Sequence, residues 1–286
     1  MERIPEISHH IRLPVNIEVF PELRDHIFEK TAVFPAVESM QLLAKVASEF
    51  QPDLEVRCFV QAGFGKFLVI DSRDEVIKAL VALKKVRNGG ISASLLSTLH
   101  FTGSGITRMM EHARLIFSPR IDASEVLSMP GFEVSKTEFT VSSEMVYREL
   151  VPFGPAYQNI FDNVRLTPAA ATVRILAPER SSLVGPLGSP FVLDAAFHAA
   201  CVWGQRYTGF IGFPVGLYKR IVVKPTVPGG IYTAYMVPVK RGRGENVFNL
   251  WIFASDGGVF EVVKGLQMRD VTGGRTKPPE WIRKNN

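Results

Sequence analysis

Residues 190–207 read Pro-Phe-Val-Leu-Asp-Ala-Ala-Phe-His-Ala-Ala-Cys-Val-Trp-Gly-Gln-Arg-Tyr. Phe191, Val192, Leu193, Ala195, Ala196, Phe197, Ala199, Ala200, Val202 and Trp203 leave almost no polar side, so a helix of this composition belongs inside the protein. Pro190 suits a first helical position, and Ser189 is placed to cap it. Asp194 and His198 interrupt the apolar run four residues apart, which puts both on one helical face. A buried aspartate costs free energy unless it is paired or in use.

A buried helix needs a sheet to bury it. Segments rich in Val, Ile, Phe, Tyr and Thr predict strands at Glu55–Ala62, Gly65–Asp71, Ile91–Phe101, Ile106–Phe117, Lys136–Ser142 and Ala171–Leu176. Further strands are predicted at Arg220–Lys224, Tyr232–Val239, Phe248–Ala254 and Val259–Arg269, with a hairpin turn at Ser255-Asp256-Gly257-Gly258. A second helix is predicted behind Pro35, where Val37, Met40, Leu43, Val46 and Ala47 follow helical spacing and Glu38 stands in the first turn. Asp74–Lys85 reads as a short amphipathic helix. The pattern is therefore one helix followed by strands, twice over, with a polar stretch from Ser118 to Val134 between the halves. That is an α+β plan.

The chain has 286 residues, enough for about two folded units at roughly 150 residues each. Hydrophobic residues at 46% and charged residues at 21% exclude a disordered chain. No apolar run reaches the length of a membrane span, and Met1–His10 lacks a signal-peptide core, so a soluble, cytoplasmic protein is expected. Cys58 and Cys201 stand far apart and form no zinc pattern. The 33 basic and 28 acidic residues give a net charge of +5. The basic groups are scattered (Lys84-Lys85-Arg87, Lys219-Arg220, Lys240-Arg241-Arg243), which reads as solvated faces and speaks against nucleic acid.

Few residues invite chemistry. His26 precedes the Pro35 helix and is an ordinary loop histidine on its own. His9-His10 is a solvated pair rather than a metal site. Asp194 and His198 form either a buried structural pair or an acid in a dry pocket. Desolvation would raise the carboxyl's pKa, while the helix N-terminus and a charged His198 would lower it, so the net direction stays open. Gly103-Ser104-Gly105 lacks the lysine and the setting of a phosphate loop.

Taken together, these residues resemble the dehydratase domains of polyketide synthases and of polyunsaturated-fatty-acid-type synthases. His26–Pro35 (HIFEKTAVFP) matches a His-x-x-x-Gly-x-x-x-x-Pro motif, with Lys30 in place of the Gly. Phe153-Gly154-Pro155-Ala156-Tyr157 echoes Tyr-Gly-Pro-x-Phe, with Phe153 for the Tyr. Asp194 to His198 matches Asp-x-x-x-Gln/His, and Phe213-Pro214-Val215-Gly216 resembles Leu-Pro-x-Gly. The lead-in Tyr147-Arg148-Glu149-Leu150 looks closer to dehydratases of iterative and polyunsaturated-fatty-acid-type synthases than to those of modular ones.

The resemblance implies a double hotdog, two antiparallel sheets each wrapped round a long central helix. The expected division is residues 1–125 carrying the catalytic His, 126–273 as linker and second hotdog carrying the catalytic Asp, and a loose tail at 274–286. It implies loss of water from a 3-hydroxyacyl thioester to give a trans-2-enoyl thioester in polyketide or fatty-acid biosynthesis. His26 is the implied base and Asp194 the implied acid. His198, Lys30, Pro35, Phe153, Gly154 and Pro155 are the implied substrate-binding residues. The Lys30 side chain is expected to crowd the channel, and the backbone N–H at that position to steady the enolate oxygen. No cofactor or metal is implied, the substrate being carried on the phosphopantetheine of an acyl carrier protein. Other synthase domains are the further partners, with homodimerisation a family-level expectation and no nucleic acid or membrane. The alternatives are a non-catalytic domain that docks acyl carrier protein, an enoyl isomerase, and a thioester hydrolase.

Overall fold

Pro35 holds an extended conformation (φ −64°, ψ 149°), and helix α1 (Ala36–Phe50) starts directly behind it. Val37, Met40, Leu43, Ala44 and Ala47 form its buried stripe. Helix α2 (Pro190–Tyr207) is buried continuously from Pro190 to Gln205. It stops where Gly209 turns to φ +74° and the amides of Thr208 and Gly209 both donate to the Gly204 carbonyl at 2.9 Å, a glycine-terminated end. Ser189 holds the N-cap position, but its hydroxyl makes no capping bond. Its amide is fixed instead by Thr226 Oγ1 at 2.9 Å, because this helix begins inside the core.

The computed structural model describes residues 10–86, 89–100, 107–118, 138–179 and 185–283. Arg87, Gly103-Ser104-Gly105, His9, most of the Ser118–Val134 stretch and the starts predicted at Ile106 and Lys136 lie outside them. The first half contributes β1 (Ile11–Glu18), β2 (Ile27–Phe28), β3 (Thr31–Val33), β4 (Cys58–Phe64), β5 (Val69–Ile70), β6 (Val76–Lys85), β7 (Ile91–His100) and β8 (Thr107–Phe117). The second contributes β9 (Phe139–Val141), β10 (Val164–Leu166), β11 (Ala171–Leu176), β12 (Phe213–Val222), β13 (Ile231–Arg241), β14 (Glu245–Ala254) and β15 (Val259–Arg269).

Twelve of these strands make one antiparallel sheet in the order β1-β6-β7-β8-β4-β12-β15-β14-β13-β11-β10-β9, and β2-β3-β5 make a small second one. The halves meet edge to edge at β4 and β12, where Ala62 pairs with Leu217 and Phe59 with Arg220. The two expected sheets are therefore hydrogen-bonded into one, with α1 and α2 packed on each other and against it. Arg220, read from sequence as solvated, is buried at this seam. Its guanidinium grips Glu261 through Nε–Oε1 at 2.8 Å and Nη2–Oε2 at 3.0 Å, with Met40 of α1 beside it.

Two further expectations are corrected. Residues 76–85 are strand β6, not a helix. Leu, Ala and Lys favour helix locally, but Ile77, Ala79, Val81 and Leu83 alternate inward between β1 and β7, and that pairing overrides propensity. Residues 274–283 are not a loose tail. Ile282 is fully buried, its carbonyl accepts from Arg206 at 2.9 Å, and Trp281 Nε1 donates to Glu149 at 2.6 Å. The polar Thr-Lys-Pro-Pro-Glu run hides two apolar anchors behind it. The Ser255–Gly258 turn stands as read, with Gly257 at φ +83°.

Candidate active site

His26 follows a single 3₁₀ turn (Pro21–Asp25) and leads into the β2–β3 hairpin. The two residues of that hairpin's turn, Glu29 and Lys30, have φ of 45° and 69°, the left-handed pair of a type I′ turn. Glycine is the residue such a turn favours, which explains why the motif has one there. The Lys30 side chain is exposed and lies outside the cavity lining, so it does not crowd the channel.

The His26 backbone carbonyl accepts from Val33 N at 3.0 Å, and its ring Nδ1 lies 3.1 Å from the Val33 carbonyl oxygen. A carbonyl only accepts, so Nδ1 carries the hydrogen and Nε2 presents a lone pair. That Nε2 points to Asp194 of α2, 4.0 Å from its Oδ1. Asp194 is 4% exposed, and its Oδ2 lies 2.8 Å from His198 Nε2, close but poorly aligned for a hydrogen bond.

Phe153 stacks on the His26 ring at 4.4 Å and lies 5.0 Å from His198. Tyr157 meets His26 edge-on at 5.0 Å and packs on Phe191 of α2. Gly154 and Pro155 stay out of the lining and work from behind it. The Gly154 amide donates to the Asp25 carbonyl and the Ala156 amide to Asp25 Oδ2, both at 2.8 Å. Pro35 likewise serves as the start of α1 and not as a wall.

These groups face a cavity of about 500 Å³. His26, Asp194, His198 and Phe153 line it. So do Phe213, Pro214 and Val215, which open β12 and place Phe213 edge-on to Phe28 at 4.8 Å. Cys201, read from sequence only as one of two separated cysteines, and His112 also line the cavity. Cys201 lies three residues beyond His198 on α2, so spacing from the Asp194–His198 pair could have found it. His112 stands among other polar residues of its strand, Arg108, Glu111 and Arg114, and gave little signal.

Burial is the largest influence on both central groups. It pushes the His26 pKa down, assisted by His198 and opposed by the Asp194 charge, and the net is below the ordinary histidine value. It pushes the Asp194 carboxyl up, but the charge and contact of His198, with His26, outweigh it and hold the carboxyl below its ordinary value. The site thus pairs a neutral imidazole with a carboxylate in an apolar enclosure. Among the described residues no cluster of His, Cys, Asp and Glu could hold a metal ion, and no helix is long and apolar enough to cross a membrane.

An antiparallel sheet thus carries two central helices, with a histidine from one half facing an aspartate from the other. Solved structures share the fold. A dehydratase domain from the CurJ module of curacin polyketide synthase matches with a TM-score of 0.69 at 18% identity, covering 92% of each chain. That of a mycocerosic acid synthase-like polyketide synthase gives 0.71 at 15%, covering 96% of this chain and 98% of the other. A trans-AT polyketide synthase dehydratase domain from Brevibacillus brevis gives 0.67 at 17%, covering 92% and 94%. No curated protein matches in sequence. The family model described as "Polyketide synthase dehydratase N-terminal domain" matches residues 135–278, half of the chain. The chain belongs to the polyketide synthase dehydratase family.

Proposed function

We propose that this protein dehydrates 3-hydroxyacyl thioesters to trans-2-enoyl thioesters within polyketide or fatty-acid synthesis. The observation that carries the reading is the 4.0 Å approach of His26 Nε2 to Asp194 Oδ1 inside an apolar cavity. The His26 lone pair takes the α-proton of the substrate. The Asp194–His198 pair delivers a proton to the departing hydroxyl, passing it across the 2.8 Å contact to the carboxyl oxygen. After water leaves, His26 holds a proton and the Asp194–His198 pair lacks one; transfer across the 4.0 Å gap to Asp194 and on across the 2.8 Å contact to His198 restores the resting state. The Cα–H electron pair becomes the double bond as the C–O bond to the departing hydroxyl breaks, with no net oxidation or reduction, so the reaction as proposed calls on no metal or cofactor.

The same reading divides the chain into two hotdog units, 1–125 round α1 and 126–273 round α2, joined at β4 and β12. The substrate arrives on the phosphopantetheine of an acyl carrier protein, other synthase domains being the neighbours and a homodimer the assembly. An enoyl isomerase is the second reading: His198 and His26 pull the Asp194 carboxyl below its ordinary value against burial, and double-bond migration asks no proton of it.

The deciding experiment incubates the protein and His26→Ala with 3-hydroxyacyl, trans-2-enoyl and 3-enoyl pantetheine thioesters, followed by mass spectrometry and proton NMR. Water loss or addition that vanishes in the variant supports the dehydratase. Migration without hydration moves the assignment to isomerase, and no reaction, with a carrier-bound substrate also inert, removes both.

A further inference from the structure

A second histidine lines the same cavity from the first half. In the β7–β8 ladder Leu95 pairs with Ala113 and Leu96 with Glu111, which leaves His112 as the extra residue of a β-bulge. Its ring is engaged on both sides, Nδ1 3.0 Å from the Lys66 carbonyl oxygen and Nε2 2.7 Å from Ser97 Oγ. The carbonyl fixes the hydrogen on Nδ1, so Nε2 accepts from the serine hydroxyl and the neutral ring is fully used. Burial, which lowers the ring's pKa, keeps it in that form.

His112 also accepts the Gly65 amide on its backbone carbonyl at 3.1 Å. One residue thus holds the 65–68 segment by two separate bonds. That segment turns Lys66, Phe67 and Leu68 to the cavity. Phe67 packs on Phe28 at 4.8 Å, two residues from His26, and the Leu68 carbonyl accepts the Phe34 amide at 2.8 Å.

We propose that His112 is a positioning residue which, by bridging Ser97 to Lys66, holds the 65–68 segment so that Phe67 and Leu68 form the apolar wall against which the acyl chain packs. It governs how tightly the acyl chain is held and leaves the chemical step to His26 and Asp194. Its link to turnover rests on the dehydratase reading; its link to binding does not.

The test pairs two measurements. Calorimetry follows binding of the unreactive octanoyl-pantetheine thioester, and kinetics follow dehydration of 3-hydroxyoctanoyl-pantetheine, each with melting curves. His112→Ala is expected to weaken octanoyl-pantetheine by about tenfold and raise KM in step, with kcat within about twofold. His112→Gln, whose amide donates to Lys66 and accepts from Ser97, is expected to recover most of the loss. Equal binding by wild type and His112→Ala, or a loss confined to kcat, overturns the proposal. Should His112→Ala fail to fold, Ser97→Ala keeps the ring and its Lys66 bond and must itself weaken octanoyl-pantetheine; unchanged binding rejects the proposal. A wild type that binds octanoyl-pantetheine and dehydrates nothing, with binding weakened in His112→Ala, sustains the wall and removes the dehydratase. A wild type that does not bind it removes the wall.

Discussion

The amide of Gly154 donates to the carbonyl of Asp25, the residue before His26, at 2.8 Å. This bond, with the one from Ala156 to the Asp25 carboxylate, fastens the histidine of one half to the half that bears Asp194. A Cβ on Gly154 would overlap the Asp25 side chain. Gly154→Ala is therefore expected to lower stability by about 1–3 kcal/mol, through overpacking and the two strained bonds. Turnover is expected to fall by a larger factor than in a variant of equal stability elsewhere. Denaturant titration beside kcat measurement checks this, and unchanged values in both would remove the clamp.

Lys30 is the opposite case. Its φ of 69° sets a lysine where the turn favours glycine, and its side chain makes no wall of the cavity. Lys30→Gly is expected to stabilise the protein by about 1 kcal/mol, the usual cost of a left-handed non-glycine residue. Since the side chain does not crowd the substrate, KM is expected to stay put. A lowered KM at unchanged stability would return Lys30 to the channel.

How much of this was legible in the sequence depends on the length scale of the forces. The α2 segment announced itself because every side is apolar, and the Pro35 helix because proline and spacing agree. His26 and Asp194 were legible as residues, while their meeting across 4.0 Å depends on the long-range β4–β12 seam. β6 was misread since Ala, Leu and Lys look the same in a helix until neighbouring strands are known. β1 was missed because Pro14 breaks its pattern, which an edge strand tolerates. Gly154, Pro155 and Pro35 read as substrate contacts in the sequence and stand behind the lining in the structure, since a motif records where a residue matters and not what it touches.

The proposed base makes a pH prediction. Burial holds the His26 pKa below its ordinary value of 6.5, so the ring stays neutral further into acid than a free histidine. The rate is expected to rise with pH through a single step below 6.5 and then level. Stability follows the same sign. Between the ordinary and the lowered values the unfolded chain binds more protons, so stability drops as pH falls below about 6.5, and His112 adds to it in the same direction. Proton NMR of the two rings, beside a pH–rate profile, checks both; a rate step above 6.5 would falsify His26 as the base in this environment.

Glu38 reverses that sign. It is buried in the first turn of α1 with Oε1 unpartnered, and burial, with the charges of Asp194 and Glu22, raises its pKa well above 4.5. A raised group contributes stability that is complete below the unfolded value and is lost as pH rises toward the folded one. Glu38→Gln is therefore expected to match wild type near pH 4.5 and to exceed it on the order of 1 kcal/mol by pH 8. Urea midpoints at both pH values measure this. A gain that does not grow with pH would show that Glu38 is ionised and paired in the native protein.

Ile282 tests whether residues beyond 273 belong to the folded unit. It is fully buried, in the same cluster as the core residues of α2, while Thr276 lines the cavity and Trp281 reaches Glu149. Ile282→Ala should cost about 2–4 kcal/mol, the range for an aliphatic side chain deleted from a packed interior. Ending the chain after Gly273 removes this anchor with the Trp281 bond and part of the cavity wall, so the shortened protein should melt well below wild type and lose octanoyl-pantetheine binding. If it kept the wild-type melting temperature and binding, the segment would be a passenger; stability lost with binding retained at low temperature would confine its role to the core.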